Sequence, residues 1–330
     1  MQVPGRSPAT TGSGTGQGVD QGAQRARPAD ETSRLGGVTE PSLPSGLVKG
    51  EPMSDPTKTI VLIHGLWMTP RSWERWIERY ESRGHKVLAP SWPGMEVEVE
   101  ALNRDPGPIG DLHIEEIVDH YEKIVLGLDS PPIIMGHSFG GTFTQLLVDR
   151  GLGAAGVGVA SGAVKGVLDL PLSTVRATSP VLRNPFNRGK AVPLDAKQFH
   201  YGFTNTMERE ESDKVYERYH VPAASTVLFE GAFANLHRHP PTEVDFAKND
   251  RAPLLFIAFE NDHIVPPKVA KHNAEKYADA GCEAITAYRE FPGRPHFPGA
   301  PGWEEVADYA LDWAVAPRGT DAATSDKALA

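Results

Sequence analysis

Strand-like and helix-like blocks alternate along the chain from Thr57 onwards, and this alternation restricts the possible folds more than any other feature. The run TIVLI at 59–63 is short, apolar and rich in β-branched residues, which is typical of a strand buried on both faces. Residues 70–83 then repeat apolar side chains at helical spacing, and Gly84 provides a stop signal. Strands that alternate with crossover helices predict an α/β fold with a mainly parallel, doubly wound sheet.

The alternation continues through most of the remaining chain, with one interruption. We predict further strands at 86–90, 131–135, 154–160, 254–259 and 284–291, and further helices at 113–128, 139–150, 267–280 and 303–315. Residues 165–250 break the pattern, because they carry nine aromatic residues and seven prolines around a helical part near 195–220. We interpret this segment as an inserted cap of helices and loops.

The two ends of the chain differ in composition from the middle. Residues 1–55 contain 10 of the 33 glycines and no aromatic residue, which is typical of a disordered tail. A start at Met53 is the alternative, in which case residues 1–52 are not part of the native protein. We predict a flexible C-terminal tail at 316–330 and one globular domain over residues 56–315.

Charge and composition exclude several classes of function. The net charge of −10 argues against nucleic-acid binding and against attraction to anionic membranes, and no apolar run is long enough to span a bilayer. The single cysteine, Cys282, excludes a disulfide framework and fits a reducing, cytoplasmic location.

The G-x-G-x-x-G run at 151–156 follows a predicted helix rather than a strand, and His237 and His239 lack a third ligand at a recognisable spacing. We therefore expect no cofactor and no metal, and leave the oligomeric state open.

One motif has a clear chemical meaning. Residues 136–140 read G-H-S-F-G, directly after a predicted strand and at the start of a predicted helix. That setting is required of a nucleophile elbow, in which the sharp turn exposes a serine hydroxyl and aims the amides of the helix start at one spot. The motif predicts Ser138 as a nucleophile.

A serine nucleophile needs a base, and the base needs an orienting acid. Asp262 follows the predicted strand 254–259, and His296 follows the predicted strand 284–291. Each of the three residues therefore lies just beyond the carboxyl end of its own strand, where the active sites of such sheets are found. Glu260 is the nearby alternative acid.

In these motifs the chain resembles the α/β-hydrolase superfamily over about residues 57–315. The resemblance identifies Ser138, Asp262 and His296 as nucleophile, acid and base of a catalytic triad, with D-H-I-V-P at 262–266 matching the family's D-x-x-V-P pattern. It matches His64-Gly65-Leu66-Trp67 to the loop after the family's third strand, and so implies an oxyanion hole made by the backbone N–H groups of Leu66 and Phe139.

The resemblance also implies the reaction. Serine at the elbow, rather than aspartate, points to a serine hydrolase that cleaves a carboxylic ester or lactone through an acyl-enzyme, with a small-molecule substrate. Two alternatives remain: a cofactor-free haloperoxidase, perhydrolase or C–C hydrolase with the same triad, and a ligand receptor on a hydrolase scaffold. Candidate residues of the substrate pocket are Trp67, His137, Phe199, Tyr201 and Phe203, for which packing in the core is the competing interpretation.

Overall fold

The computed structural model describes residues 58–319, apart from the side chain of Pro108. The predicted tail at 1–55 lies outside the described residues, as does the predicted tail at 316–330 beyond its first four residues. The strands are β1 Thr59–Ile63, β2 Lys86–Leu88, β3 Ile133–His137, β4 Ala155–Val159, β5 Ala191–Val192, β6 Ala223–Ala224, β7 Leu254–Phe259 and β8 Thr286–Phe291. The α-helices are α1 Glu74–Ser82, α2 Val99–Arg104, α3 Ile114–Leu126, α4 Phe139–Asp149, α5 Leu172–Leu182, α6 Ala196–Phe203, α7 Arg209–Tyr219, α8 Ser225–Ala232, α9 Pro267–Asp279 and α10 Trp303–Val315.

Six strands form one sheet in the order β2-β1-β3-β4-β7-β8, and every pairing in it is parallel. The two-residue strands β5 and β6 pair antiparallel outside this sheet. The predicted α/β fold with a parallel, doubly wound sheet is therefore confirmed. Within residues 58–319, no helix is both long and apolar enough to cross a membrane.

The core lies in two layers, one on each face of the sheet. Successive side chains of a strand point to opposite faces, so Ile60 and Leu62 pack in one layer with α1 and α10. Val61 and Ile63 pack in the other layer with α3 and α4. Because both faces are covered, the central strands read as continuous apolar runs rather than as alternating ones.

The strand order reverses beside β1, and this reversal positions the site. The chain passes from β1 to the edge strand β2 and then returns to β3 on the other side of β1. The loops that follow β1 and β3 therefore leave the sheet in opposite directions and open a crevice at its carboxyl edge. The first of these loops begins at His64, and the second begins at Ser138.

Three helices were not predicted from the sequence, namely α2, α5 and α8. Helix α5 contains Pro180, which cannot donate a hydrogen bond to the carbonyl of Arg176. The Ser179 hydroxyl donates to that carbonyl instead, at 2.9 Å, and the Asn187 side chain donates to the Val181 carbonyl just beyond, also at 2.9 Å. Local side-chain hydrogen bonds thus allow the helix to continue past a proline in its last turn.

Candidate active site

Ser138 occupies a sharp turn between β3 and α4. Its backbone has φ 57° and ψ −121°, a region that a residue with a side chain enters at a cost of about 1–3 kcal/mol. Four backbone hydrogen bonds hold this conformation. The Ser138 N–H donates to the Val159 carbonyl at 2.9 Å, and the Ser138 carbonyl accepts the N–H groups of Gly141, Gly162 and Thr142 at 2.9, 3.0 and 3.3 Å. The turn has the geometry of a nucleophile elbow.

Two glycines of the motif are required by close backbone approach. A Cβ atom on Gly136 would lie 1.9 Å from the Gly140 carbonyl oxygen. A Cβ atom on Gly140 would lie 2.1 Å from the carbonyl oxygen of Ile63 at the end of β1. Since neither carbonyl is a flexible side-chain end, glycine is the residue that fits, and α4 begins directly against β1.

His296 and Asp262 form a fully buried pair. The Nδ1 atom of His296 lies 2.6 Å from Oδ2 of Asp262, and both side chains have no exposed surface. The other carboxylate oxygen accepts the backbone N–H groups of Ile264 and Val265, at 2.7 and 2.8 Å. A carboxylate accepts hydrogen bonds, so the hydrogen on the imidazole lies on Nδ1 and Nε2 carries the lone pair. Among residues 58–319 that buried Nε2 has no hydrogen-bond partner.

Glu260, the alternative acid, does not contact His296. Its side chain is exposed and accepts the Gly293 N–H at 2.7 Å, in the turn that leads from β8 towards His296. The carboxylate that the structure brings to the histidine is that of Asp262. Glu260 instead holds the loop that carries the histidine.

His137 connects the elbow to the loop of His296. Its Nε2–H donates to the His296 carbonyl at 2.8 Å, and the two imidazole rings lie 4.5 Å apart. Burial holds the pKa of His137 well below its ordinary value of 6.5, so the ring is neutral. The residue directly before Ser138 is therefore packed against His296, which brings the predicted nucleophile and base into one locality.

The two backbone groups predicted for the oxyanion hole are both free. Phe139 is the first residue of α4, where an N–H has no acceptor within the helix. Within the described part of the chain, neither the Leu66 nor the Phe139 N–H donates to another residue. Glycine at position 65 allows the two loops to approach closely, because a Cβ atom there would lie 2.7 Å from the Ser138 Cβ.

The loop after β1 has an unusual backbone, and two contacts hold it. Trp67 has φ 63°, and its carbonyl accepts the N–H of Val221 at 3.0 Å. His64 stacks on Trp92 with ring centroids 4.7 Å apart and accepts the Trp92 N–H at Nε2. Burial lowers the pKa of His64 to about 4, so His64 is a neutral supporting residue of this loop.

A cavity of about 390 Å³ opens beside Ser138. Its wall includes Ser138, Phe139 and Trp67, and is mostly apolar. Much of the wall comes from the segment 165–250 and the residues just before it. The apolar side chains it contributes are Val164, Val167, Leu168, Leu170, Leu182, Leu228, Phe233 and Leu236.

Trp67 is the one predicted pocket residue that lines this cavity. Phe199 and Phe203 are fully buried and stack on each other at 4.7 Å, and the edge of Phe203 meets the His296 ring at 5.0 Å. Tyr201 packs against His263 and under the Arg176 guanidinium, away from the cavity wall.

The prediction of Phe199, Tyr201, Phe203 and His137 as pocket residues is therefore corrected. Phe199, Phe203 and His137 are fully buried, and burial of their aromatic surface favours a position in the core over one facing the cavity. The leucines that do line the cavity were missed; two of them, Leu168 and Leu170, lie in the apolar run VLDLPL at 167–172, which was the one local signal for them.

The family model of the α/β hydrolase family matches residues 60–309. The chain belongs to the α/β hydrolase family. A search of curated proteins gave no match.

Solved structures of hydrolases share the fold at low identity. The monoacylglycerol lipase of Paleococcus ferrophilus is 20% identical with a TM-score of 0.54, covering 78% of this chain and 93% of that one. An extracellular α/β-hydrolase from a Paenibacillus species is 18% identical with a TM-score of 0.56, covering 77% and 98%. A pyrethroid hydrolase from Sphingobium faniae JZ-2 is 20% identical with a TM-score of 0.51, covering 79% and 98%.

Proposed function

We propose that this protein is a serine hydrolase that cleaves a carboxylic ester or lactone through an acyl-enzyme, with Ser138, His296 and Asp262 as the triad. The observation that carries the proposal is the buried 2.6 Å pair of His296 and Asp262, which leaves Nε2 without a hydrogen-bond partner, while the His296 ring packs against His137, the residue directly before the strained elbow of Ser138. That arrangement meets the needs of a hydroxyl nucleophile, which requires a base held in one tautomer.

The reaction divides into two halves. The Ser138 oxygen bonds to the carbonyl carbon while its proton moves to Nε2 of His296, and the oxyanion forms between the N–H groups of Leu66 and Phe139. The C–O bond then breaks, and the departing alkoxide takes the proton from His296. Water attacks the acyl-enzyme with His296 again as base, which releases the acid and restores Ser138. With a lactone, the alcohol and the acid remain in one product.

The oxyanion hole contributes much of the rate. Each donor of this kind is worth about 3–4 kcal/mol of barrier, because it is fixed in place before charge develops. The Phe139 N–H belongs to the first turn of α4, so the partial positive charge of the helix N-terminus adds to the same effect.

The cavity favours apolar substrates over charged ones. Its apolar wall gains free energy by covering hydrocarbon, about 25 cal/mol per Å² of apolar surface removed from water. Two of the similar structures are those of a monoacylglycerol lipase and a pyrethroid hydrolase, so a monoacylglycerol and a pyrethroid ester belong in the first set of substrates to test.

The test is a panel of esters, lactones and thioesters assayed with the wild type and with Ser138→Ala. We expect turnover of at least one apolar ester or lactone by the wild type and its loss in the variant. Equal turnover by both proteins would contradict the proposal. Halogenation with peroxide and acetate in the absence of any ester turnover would favour the perhydrolase alternative, and ligand binding with no turnover would favour the receptor.

A further inference from the structure

The mouth of the cavity is surrounded by exposed apolar side chains. Leu168 and Leu236 line the cavity and yet are 72% and 78% exposed, and Leu172, two residues after the cavity-lining Leu170, is 87% exposed. Of the ten large apolar side chains exposed among residues 58–319, seven lie between positions 168 and 236. Soluble proteins rarely leave an apolar surface of this kind uncovered unless it binds something. We call Leu168, Leu170, Leu172, Val175 and Leu236 the mouth surface.

The outer face of α5 continues the mouth surface and adds positive charge. Leu172, Val175 and Arg176 are spaced three and four residues apart, and Arg183 follows Arg176 by seven, so all four lie on one side of the helix axis. All four are exposed. Neither arginine has a carboxylate within salt-bridge distance in the described part of the chain. This face combines leucine and valine with two arginines that lack a carboxylate partner, of which Arg176 stacks on the Tyr201 ring at 4.0 Å. Apolar side chains next to basic ones can bind a membrane interface, because the apolar groups insert and the basic groups attract anionic headgroups.

The local charge here is opposite to that of the whole chain. Residues 162–192 contain five basic residues (Lys165, Arg176, Arg183, Arg188 and Lys190) and one acidic residue, Asp169, although the chain carries a net charge of −10. Lys165 is paired with Glu243 at 2.9 Å, so the basic surface consists of the other four. Exposed charges act over about 8–10 Å at physiological ionic strength, so a surface that approaches α5 experiences the basic segment rather than the chain average. The net charge therefore does not exclude an anionic surface at this place.

We propose that the mouth surface docks onto the interface of a lipid assembly that carries anionic groups, so that an apolar ester passes from the lipid directly into the cavity. The transfer of an ester into the cavity rests on the proposed function, whereas the docking onto lipid does not. A second copy of the chain fits less well, because a twofold contact would bring the same patch of each copy together and oppose the arginines of both.

The direct test is co-sedimentation of the full chain, carrying Ser138→Ala, with phosphatidylcholine vesicles prepared with and without phosphatidylglycerol. We expect binding to both vesicles, and tighter binding to those with phosphatidylglycerol. Adding Leu172→Ser and Val175→Ser is expected to weaken binding to both kinds of vesicle by about tenfold or more, because these apolar side chains no longer insert into the lipid. Adding Arg176→Gln and Arg183→Gln instead is expected to remove roughly a tenfold preference for the anionic vesicle.

Leu126→Ser provides the matched control, because Leu126 is 65% exposed at the end of α3 and does not line the cavity. It should leave vesicle binding unchanged. With Ser138 intact, Leu172→Ser with Val175→Ser should leave the turnover of a short, water-soluble ester unchanged, since neither residue lines the cavity.

Three results would overturn the proposal. They are no vesicle binding, a loss of vesicle binding by Leu126→Ser as large as that by Leu172→Ser with Val175→Ser, or a dimer of the full chain that Leu172→Ser dissociates. Vesicle binding without any ester turnover would instead count against the proposed function alone. The two proposals can therefore fail separately.

Discussion

The two oxygens of the Asp262 carboxylate have separate partners. Oδ1 accepts two backbone N–H groups from the residues that follow it, which fixes the plane of the carboxylate. Oδ2 is then left for Nδ1 of His296. An amide in this place would put an N–H group against one of these partners, and the imidazole would be held in the wrong tautomer or turned away.

This arrangement predicts a large loss of activity for Asp262→Asn. We expect kcat to fall by about 10⁴-fold, the size of effect known for the same change in other serine triads, while the fold is retained. Steady-state kinetics on the best ester of the panel measures it. The matched control is Glu260→Gln, which removes a charge two residues away and should leave kcat close to the wild-type value. Equal losses in the two variants would count against Asp262 as the orienting acid.

Among the helices and strands, the sequence predicts best those that a short run of neighbouring residues identifies. The buried strands β1, β3 and β7 are short apolar runs bounded by turn residues, so they and the residues beyond their ends could be placed. This is why Ser138 and Asp262 could be assigned to one edge of the sheet, and His296 joins them because it follows the predicted strand that became β8. The contact between Asp262 and His296 then follows from β7 and β8 being neighbours.

The pocket wall could not be predicted in the same way. Aromatic residues in 165–250 were expected to face the substrate, but Phe199 and Phe203 pack inside, and leucines from the loop before α5 face the cavity. Which side chain faces a cavity depends on how helices pack in three dimensions, and no periodicity in the sequence encodes it. Helix α5 was missed because a proline ordinarily ends a helix, while here Ser179 satisfies the carbonyl that Pro180 leaves unpaired.

The contact between α4 and β1 predicts the effect of Gly140→Ala. The added methyl group would lie 2.1 Å from the Ile63 carbonyl oxygen, so the start of α4 must move away from β1. We expect the free energy of unfolding to fall by roughly 1–3 kcal/mol and kcat to fall on the order of 100-fold, as Ser138 moves with the helix.

Urea denaturation and steady-state kinetics measure these two effects. The control is Gly127→Ala at the end of α3, where a Cβ atom meets nothing closer than 3.4 Å. It should change the free energy of unfolding by less than about 1 kcal/mol and leave kcat unchanged. An active, stable Gly140→Ala protein would show that the elbow does not depend on this contact.

In the whole molecule, three buried histidines link stability to pH. Burial lowers the pKa of His64 and of His220 to about 4 and holds that of His137 well below 6.5. In the unfolded chain the same groups take up a proton near pH 6.5. Between about pH 6.5 and pH 4 the unfolded state therefore binds more protons than the folded state, and stability falls as the pH falls.

We predict that the free energy of unfolding, measured by urea denaturation, is greatest above pH 6.5 and declines towards pH 4. Each of the three histidines adds up to about 1.4 kcal/mol per pH unit to that slope. The variant His220→Gln keeps a hydrogen-bond acceptor for the Leu194 N–H but does not titrate, so its slope should be shallower. A stability that stays constant from pH 6.5 to pH 4 would contradict this description of the buried histidines.

The net charge and composition of the whole chain predict its partners less well than the charge and exposure of one local surface. The net charge of −10 describes the chain, whereas the residues around α5 are basic, so the expected class of partner depends on where the contact is made. The single cysteine made a cytoplasmic location the expectation, and that location stays a prediction. The family and the fold, by contrast, follow from features that extend across residues 60–309.

The central claim is that Ser138 is the nucleophile, and covalent labelling tests it most directly. Treatment with a fluorophosphonate should add one label per chain, and peptide mass spectrometry should locate it on Ser138. Ser138→Ala should take up none, whereas Ser161→Ala, at another buried serine just after β4, should be labelled like the wild type. Labelling at a different residue, or no labelling of a folded wild-type protein, would contradict the account.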